Sequence, residues 1–446
     1  MEEVVASMPS AAALRAQVQA LCALGNRFVG SPGERAARDH IERAFRDAGA
    51  PDVRVEEFEV LGYRPGAAAC AVEGVEDGEL PAAGLQFTAA AEVRAEAVYL
   101  GNPRTLDDIR ALQADGVSLV GKAAVVDSYW PYGLAEHVAE AGAAALVVVS
   151  PNAEGLMTHF TAQLYPPPAA GRPLAIPGVT IERRAASRLL ALMADRPCTL
   201  RIDHRATYAP VTTANVVAEV PGTELPEERV VIGGHYDTQL EGVGACDNAT
   251  GVAATIELAR ACAAAPRRRT VTFVAFGDEE HGFHGGVDYC RRHAATLDRT
   301  AGMVCLDALA WIYPGRRSLH ADPSFQAYAA ARAAEVGWEP QEVVDASLLL
   351  GSDHNAFIDA GVPAAWFWRY PPQHLGYHST GDTLELVDFE LVAQTAAAAG
   401  HTAFALADEP GFPLGRSRPT TRWHDLRPTA ADAAETDRDL SAGGVS

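Results

Sequence analysis

The apolar positions along the chain change period several times, and the changes mark its elements. Ala11 to Gly49 reads as helix, turn, helix; the second helix, from about Ser31 to Ala48, carries Ile41, Phe45 and Ala48 on one face. Strands are predicted at Val53 to Val60, where Val53, Val55 and Phe58 stand among charged residues, and at Ala67 to Gly74. From about Leu85 the style shifts to short apolar runs. Val98 to Leu100, Gly121 to Asp127, Ala144 to Val149 and Ile176 to Ile181 read as strands, with helices at Thr105 to Ala114, Leu134 to Ala143 and Glu182 to Met193. The earlier style resumes at a strand over Asn215 to Val220. Strands at Val230 to Ile232, Val271 to Phe276, Met303 to Leu306 and Ala364 to Trp368 then alternate with helices at Thr250 to Ala265, Gly285 to Ala295, Ser324 to Val336 and Phe389 to Leu406.

Short apolar strands between helices predict an α/β fold: a mainly parallel, mixed central sheet with helices on both faces. The shift in style predicts a small inserted α/β unit. The expected division is 1–84 and 206–408 for the two parts of the main domain, 85–205 for the insert, and 409–446 for a loosely packed tail rich in Pro, Arg, Ala, Asp and Gly. The chain has 446 residues, 48% hydrophobic and 21% charged, enough for a sizeable core. Its net charge of −22 argues against nucleic acid or an anionic membrane surface as partner. Seven scattered cysteines with no Cys-x-x-Cys pair, and no signal-peptide pattern in Met1 to Ala23, lead us to expect a cytoplasmic protein; no stretch reaches a membrane-spanning length.

Acidic and histidine residues gather just after the predicted core strands. These are Gly234-His235-Tyr236-Asp237, Asp247-Asn248-Ala249-Thr250-Gly251, Asp278-Glu279-Glu280-His281, Leu306-Asp307, and a late loop with Tyr377-His378 and Asp382-Thr383. In open α/β sheets the carboxyl ends of the strands form the functional crevice, so all fall on one rim. Two histidines and three carboxylates suit zinc or a similar divalent ion. The reading assigns one metal to His235, Asp247 and Asp307, and a second to Asp247, Glu280 and His378, with Asp247 as the bridge. Two such cations would hold a water as hydroxide near neutral pH. Glu279, adjacent to a ligand and unable to share its direction, is the expected general acid/base. Asp237 is expected to hold the free N–H of His235, and Tyr377 to donate to a tetrahedral oxyanion.

These motifs, in order and spacing, resemble the family-28 metallopeptidases, the co-catalytic two-zinc aminopeptidases. Gly351-Ser352-Asp353-His354 with Phe357, and Gly30-Ser31-Pro32-Gly33 before a helix, add to the resemblance, which covers about Leu14 to Leu406. It implies a zinc-exopeptidase, phosphorylase/hydrolase-like architecture, two zinc ions, the ligands and base assigned above, a cis peptide after Asp247, and a protease-associated domain as the insert. The chain departs from the family pattern at Gly351, at Ala308-Leu309-Ala310 and at Gly286, which leaves substrate preference open.

The leading expectation is an exopeptidase that removes an N-terminal residue from a peptide or small amide. Carboxypeptidase, dipeptidase, small-amide hydrolase and glutaminyl cyclase activities are alternatives within the resemblance; a metal-free binding or receptor-like homologue is the alternative from another class. The insert is expected to shade the cleft or mediate self-association into a homo-oligomer. His281, His284, His354 and His374 are not expected to be ligands, Trp366 and Trp368 are expected to pack, and Arg369 to form a surface ion pair. Two lookalikes are set aside. Gly116 to Lys122 imitates a phosphate loop but has Ala123 where Ser/Thr is required, and Asn248-Ala249-Thr250 spells a glycosylation acceptor inside the metal motif.

Overall fold

A computed structural model describes residues 8–103, 106–127, 134–152, 155–162, 173–313, 315–347, 351–370 and 376–417. The chain opens with α1 (Ala11–Cys22) and α2 (Pro32–Asp47), then β1 (Asp52–Val72), β2 (Glu79–Leu80) and β3 (Ala82–Gly84). The next elements are β4 (Ala91–Tyr99), α3 (Leu106–Ala114), β5 (Ala123–Val126), α4 (Leu134–Glu140), β6 (Ala145–Val149), β7 (Gly178–Ile181) and α5 (Arg183–Asp195). There follow β8 (Thr199–Val220), β9 (Leu225–His235), α6 (Thr250–Ala264), β10 (Arg269–Phe276), α7 (His284–Arg292) and β11 (Thr300–Leu306). The last are β12 (Arg316–Ala321), α8 (Pro323–Ala334), β13 (Glu342–Asp345), α9 (His354–Asp359), β14 (Ala364–Tyr370) and α10 (Phe389–Asp408).

The sheet runs β13-β12-β14-β11-β9-β10-β8-β4-β5-β6-β7-β3, with β1 paired to β8 and β2 to β1. Its centre is parallel: β9 pairs β10 and β11, and β11 pairs β14. Antiparallel β8 and β12 flank that centre, so the sheet is mixed. Every residue of β10 and β11 is buried, as expected for strands covered on both faces. One face packs under α1, α2, α6 and α10 through Leu14, Ile41, Ile256, Val304 and Phe404. The other packs under α7 and α9 through Val231, Val274, Tyr289 and Phe357.

β1 and β8 form a long antiparallel ribbon, from Asp52 opposite Glu219 to Val72 opposite Leu200. Val216–Val220 of β8 pair with β10, and Thr199–His204 pair with β4. The ribbon thus joins the central sheet to a second unit in which β4, β5, β6 and β7 run parallel. That unit has cores of its own, one around Val125, Val147 and Leu189 and one around Leu134, Leu146 and Ile109.

Several expectations are corrected. The strand expected at Ala67 to Gly74 is the far end of β1, and that at Asn215 to Val220 the near end of β8. The helix from Gly285 stops at Arg292 and passes into a 3-10 turn, Ala294–Arg299. Strands β12 and β13 were not expected. Gly116 to Lys122 is no phosphate loop: it turns into β5, and Lys122 Nζ pairs with Glu96 at 2.7 Å. Arg369 is buried, its guanidinium donating to Thr395 Oγ1 and Gln394 Oε1 at 3.1 Å each, so it makes no surface ion pair. Trp366 and Trp368 stack with ring centroids 4.3 Å apart, as i, i+2 neighbours on one strand face should. Among the described residues no helix is long and apolar enough to cross a membrane. His374 and the tail beyond residue 417 lie outside the described residues.

Candidate metal centre

The carboxyl ends of the parallel strands deliver the acidic and histidine residues to one place. His235 is the last residue of β9, Asp307 follows β11 directly, Glu279 and Glu280 follow β10, and His378 lies in the loop after β14. Asp247 lies in the tight turn before α6, and its peptide bond to Asn248 is cis.

The glycines of the motifs have a steric reason. A Cβ on Gly234 or on Gly251 would stand 2.0 Å from the Leu306 carbonyl oxygen, so β9 and α6 can approach the end of β11 only without side chains there. Asn248 closes the same corner. Its Nδ2 donates to Leu306 O at 2.9 Å, and its Oδ1 accepts from Gly251 N at 2.9 Å and Ala308 N at 3.3 Å. A side chain this buried and this fully bonded is no glycosylation acceptor.

Asp247 faces both histidines, one with each oxygen: Oδ1 is 3.2 Å from His235 Nε2 and Oδ2 is 3.3 Å from His378 Nε2. His235 Nε2 also stands 3.4 Å from Asp307 Oδ1, and His378 Nε2 3.1 Å from Glu280 Oε2. Glu279 Oε2 is farther from His235, at 3.9 Å. Ligand atoms of His235, Asp247 and Glu280 all lie within 4.8 Å of one another, as do those of His235, Glu279 and Asp307.

Four acidic side chains therefore crowd two imidazoles in a buried site. His235 is raised well above its ordinary pKa: burial pushes it down, but Glu279, Asp307, Asp237 and Asp247 outweigh that. His378 is pushed up to about 10, burial again opposing and Glu280 and Asp247 prevailing. Asp247 is held low by the two histidines in spite of its burial. Burial raises Glu279, Glu280 and Asp307; repulsion from Asp307 and Glu280 adds to it at Glu279, and repulsion from Asp247 adds to it at Glu280 and Asp307. Carboxylates outnumber the cations in the site, and a buried excess of negative charge calls for counter-ions.

The donor set passes a test for divalent metal. His235 Nε2 and Asp307 Oδ1 are buried without a hydrogen-bond partner although they face each other. Zinc bonds of about 2.0–2.1 Å at a tetrahedral angle would put ligand atoms about 3.3 Å apart. The four histidine–carboxylate separations above, 3.1–3.4 Å, match that spacing.

Asp237 lies behind His235, on its Nδ1 side. Its Oδ1 is 3.5 Å from His235 Nδ1, while its own carbonyl is 3.2 Å away. The carboxylate also accepts the amides of Glu279 at 3.0 Å and Glu280 at 3.3 Å, a role the sequence did not suggest. Tyr377 stacks on His378 with centroids 3.7 Å apart.

Other supporting residues were missed. Asp382 accepts the amides of Cys246 and Asp247, at 2.9 Å each, and its carboxyl is pushed up to about 7 by burial and then by the Asp247 charge. Arg27 is buried and donates to the carbonyls of Tyr236, Val243 and Gly244. Asp278 takes a left-handed backbone (φ 57°) and holds His281 Nδ1 at 2.6 Å and His284 Nδ1 at 2.5 Å, which accounts for both histidines lying off the centre. Asp382 stood in a recognised motif with no role attached. For Arg27 no spacing signal exists, because its partners are backbone carbonyls more than 200 residues away; Asp278 had one, the Asp278–His281–His284 spacing, which was not used.

Parts of the chain are similar to known proteins. Residues 215–403 match the family model for Peptidase family M28. A probable zinc metalloprotease of Leptosphaeria maculans is 28% identical over 264 residues, 48% of this chain and 61% of that protein. Carboxypeptidase Q of Rattus norvegicus is 29% identical over 213 residues, 45% of this chain and 43% of that protein. The chain thus spans about half the length of the curated relatives it matches. The solved aminopeptidase from Aneurinibacillus sp. strain AM-1 superposes with a TM-score of 0.70 at 25% identity, over 94% of this chain and 98% of that one. Residues 215–403, the segment in which all the converging acidic and histidine residues lie, belong to peptidase family M28.

Proposed function

We propose that this chain is a two-zinc exopeptidase that hydrolyses the amide bond after an N-terminal residue. The observation that carries the reading is Asp247, whose two oxygens address two different histidines 3.2 and 3.3 Å away. His235, Asp247 and Asp307 would hold one ion, and Asp247, Glu280 and His378 the other. Bound there, zinc supplies Lewis-acid chemistry, polarising the scissile carbonyl and acidifying water.

The protein's own part is proton transfer and positioning. Glu279 is set back from His235 relative to the ligands, and its pKa is raised by burial. It takes the proton of the attacking water and passes it to the leaving amine nitrogen. Asp237 keeps Glu279 and Glu280 aimed apart by holding both their amides. Tyr377, fixed against His378, is the proposed donor to the tetrahedral oxyanion.

One observation favours the N-terminal direction. Arg27 and Arg369, which could otherwise meet a substrate carboxylate, are both spent on internal hydrogen bonds. The similarity to the Aneurinibacillus aminopeptidase points the same way, and that to carboxypeptidase Q supports the second reading, removal of a C-terminal residue. A pair of dipeptides decides between them. Blocking the amine should abolish turnover and blocking the carboxyl should spare it; the reverse pattern would establish the carboxypeptidase reading.

A further inference from the structure

The inserted unit, residues 85–205, reaches the metal centre at two places, and both serve the same half of it. Gln86 follows β3 and has no exposed surface. Its amide donates to Phe160 O at 3.1 Å and its carbonyl accepts from Ala162 N at 2.9 Å, which fixes it within the insert. Its side chain donates to Gln239 Oε1 at 2.5 Å, and Gln239 Nε2 donates to Glu280 Oε2 at 3.0 Å. That is the oxygen that faces His378. The other end of the Gln86 amide, Oε1, is held by His281 Nε2 at 2.8 Å, so the chain of bonds has a fixed anchor.

The second contact is with the loop that carries His378. Asn152, 1% exposed just past β6, donates to Tyr377 O at 2.9 Å and Thr158 Oγ1 at 2.7 Å. Its Oδ1 accepts from Gly376 N at 3.3 Å. The residue after Thr158 adds to this grip: the His159 amide donates to His378 O at 2.8 Å. The Phe160 ring meets the His378 ring edge-on at 6.4 Å.

The other half of the centre is held without the insert. His235 closes β9 and meets Asp237, Asp247, Glu279 and Asp307. Asp307 closes β11, and its carbonyl accepts from Trp366 Nε1 at 3.0 Å. All of these residues belong to the main domain.

We propose that the insert is a positioning clamp for one cation position only, the one formed by Glu280 and His378, and that Gln86 and Asn152 are its working residues. The proposal rests on the two-cation reading above. Partners that orient metal ligands typically change affinity about 10–100-fold when removed. Asn152 and Gln86 act through His378 and Glu280 and touch neither cation nor substrate, so the effect should fall on one binding step.

The test is zinc stoichiometry of the full chain across a series of zinc buffers. The wild type should fill two positions. In Asn152→Ala, and separately in Gln86→Leu, one position should fill at the wild-type free-zinc level and the other at a level about 10–100-fold higher. The double variant Asn152→Ala/His378→Ala should bind as His378→Ala alone does, which assigns the weakened position. Asn152→Asp, which keeps the acceptor for Gly376 and loses the donor to Tyr377, provides a milder second variant with a smaller shift at the same position. Thermal melting of the metal-free chains checks that the variants remain folded. Two positions that weaken together, or that both stay unchanged, would overturn the clamp while leaving the two-cation reading intact. A wild-type chain that never fills more than one position would remove that reading, and the clamp with it.

Discussion

Glu279 and Glu280 are adjacent in the chain, and the proposed mechanism gives them different duties. Glu280 Oε2 faces His378 at 3.1 Å, while Glu279 Oε2 stands 3.9 Å from His235. Glu279→Gln keeps the shape and removes the proton acceptor. It should retain the wild-type metal content and lose turnover by about 10²–10⁴-fold, the usual worth of a positioned acid/base. Elemental analysis beside a kcat measurement checks this, and loss of metal would make Glu279 a ligand instead. A second residue gives a pH prediction away from the centre. His320 is lowered to about 4 by burial, edge-on to Trp366 and Trp368 with centroids 5.0 and 5.4 Å away. Its folded pKa lies below its unfolded value of about 6.5, so the neutral form is the one that folding favours. Its share of stability is present above pH about 6.5 and declines as pH falls toward 4. At pH 5 the loss should be about 2 kcal/mol, and His320→Gln should flatten that part of the pH profile in denaturant titrations of the metal-free chain.

At the scale of elements, α2 shows how a helix start can support a site it does not touch. Ser31 Oγ caps the helix by accepting from Glu34 N at 3.0 Å, and Glu34 Oε2 reaches back to the amide before the cap, Gly30 N, at 3.2 Å. The other oxygen of Glu34 accepts from Thr213 Oγ1 on β8 at 2.7 Å and from the Tyr236 hydroxyl at 3.0 Å, one residue past His235. Glu34→Ala should lower unfolding stability by about 1–3 kcal/mol, since it takes the acceptor from buried Thr213 Oγ1 and half-buried Gly30 N, while the Tyr236 hydroxyl keeps its bond to Ala214 O. A change within about 0.5 kcal/mol would show that these bonds are replaced by water. The helix after Gly30-Ser31-Pro32-Gly33 was readable, but the bonds to Thr213 and Tyr236 were not, because nothing local encodes a partner 179 or 202 residues away. Strand lengths were legible only where both faces are buried. β10 and β11 announce themselves as apolar runs, while β12 begins with exposed or half-buried Arg316 and Arg317 and β13 has no fully buried residue. The long β1–β8 ribbon was read as separate pieces because its middle, Arg64 to Gly66, is exposed and carries no alternation.

At the scale of the molecule, one sheet carries both units, and acidic and histidine residues from five segments meet at the ends of its parallel strands. Their convergence was legible because chemistry-bearing residues sat just past each apolar run. The insert's grip on Glu280 and His378 was not, since Gln86 and Asn152 are ordinary amides whose partners lie 153 and 225 residues away. An acidic cluster of this kind destabilises the folded chain until its charge is balanced. Exhaustive chelation should therefore lower the melting temperature, and zinc at about 1,000 times its Kd should restore about 4 kcal/mol. Calorimetry with and without chelator measures this, and a melting temperature indifferent to chelator would favour a binding protein that has no resident metal.

The account turns on Asp247 serving two cations at once, and anomalous diffraction at the zinc edge from crystals grown with zinc observes that directly. Two peaks are predicted, one among His235, Asp247 and Asp307 and one among Asp247, Glu280 and His378. A single peak at full zinc saturation, or peaks that leave Asp247 unligated, would contradict it.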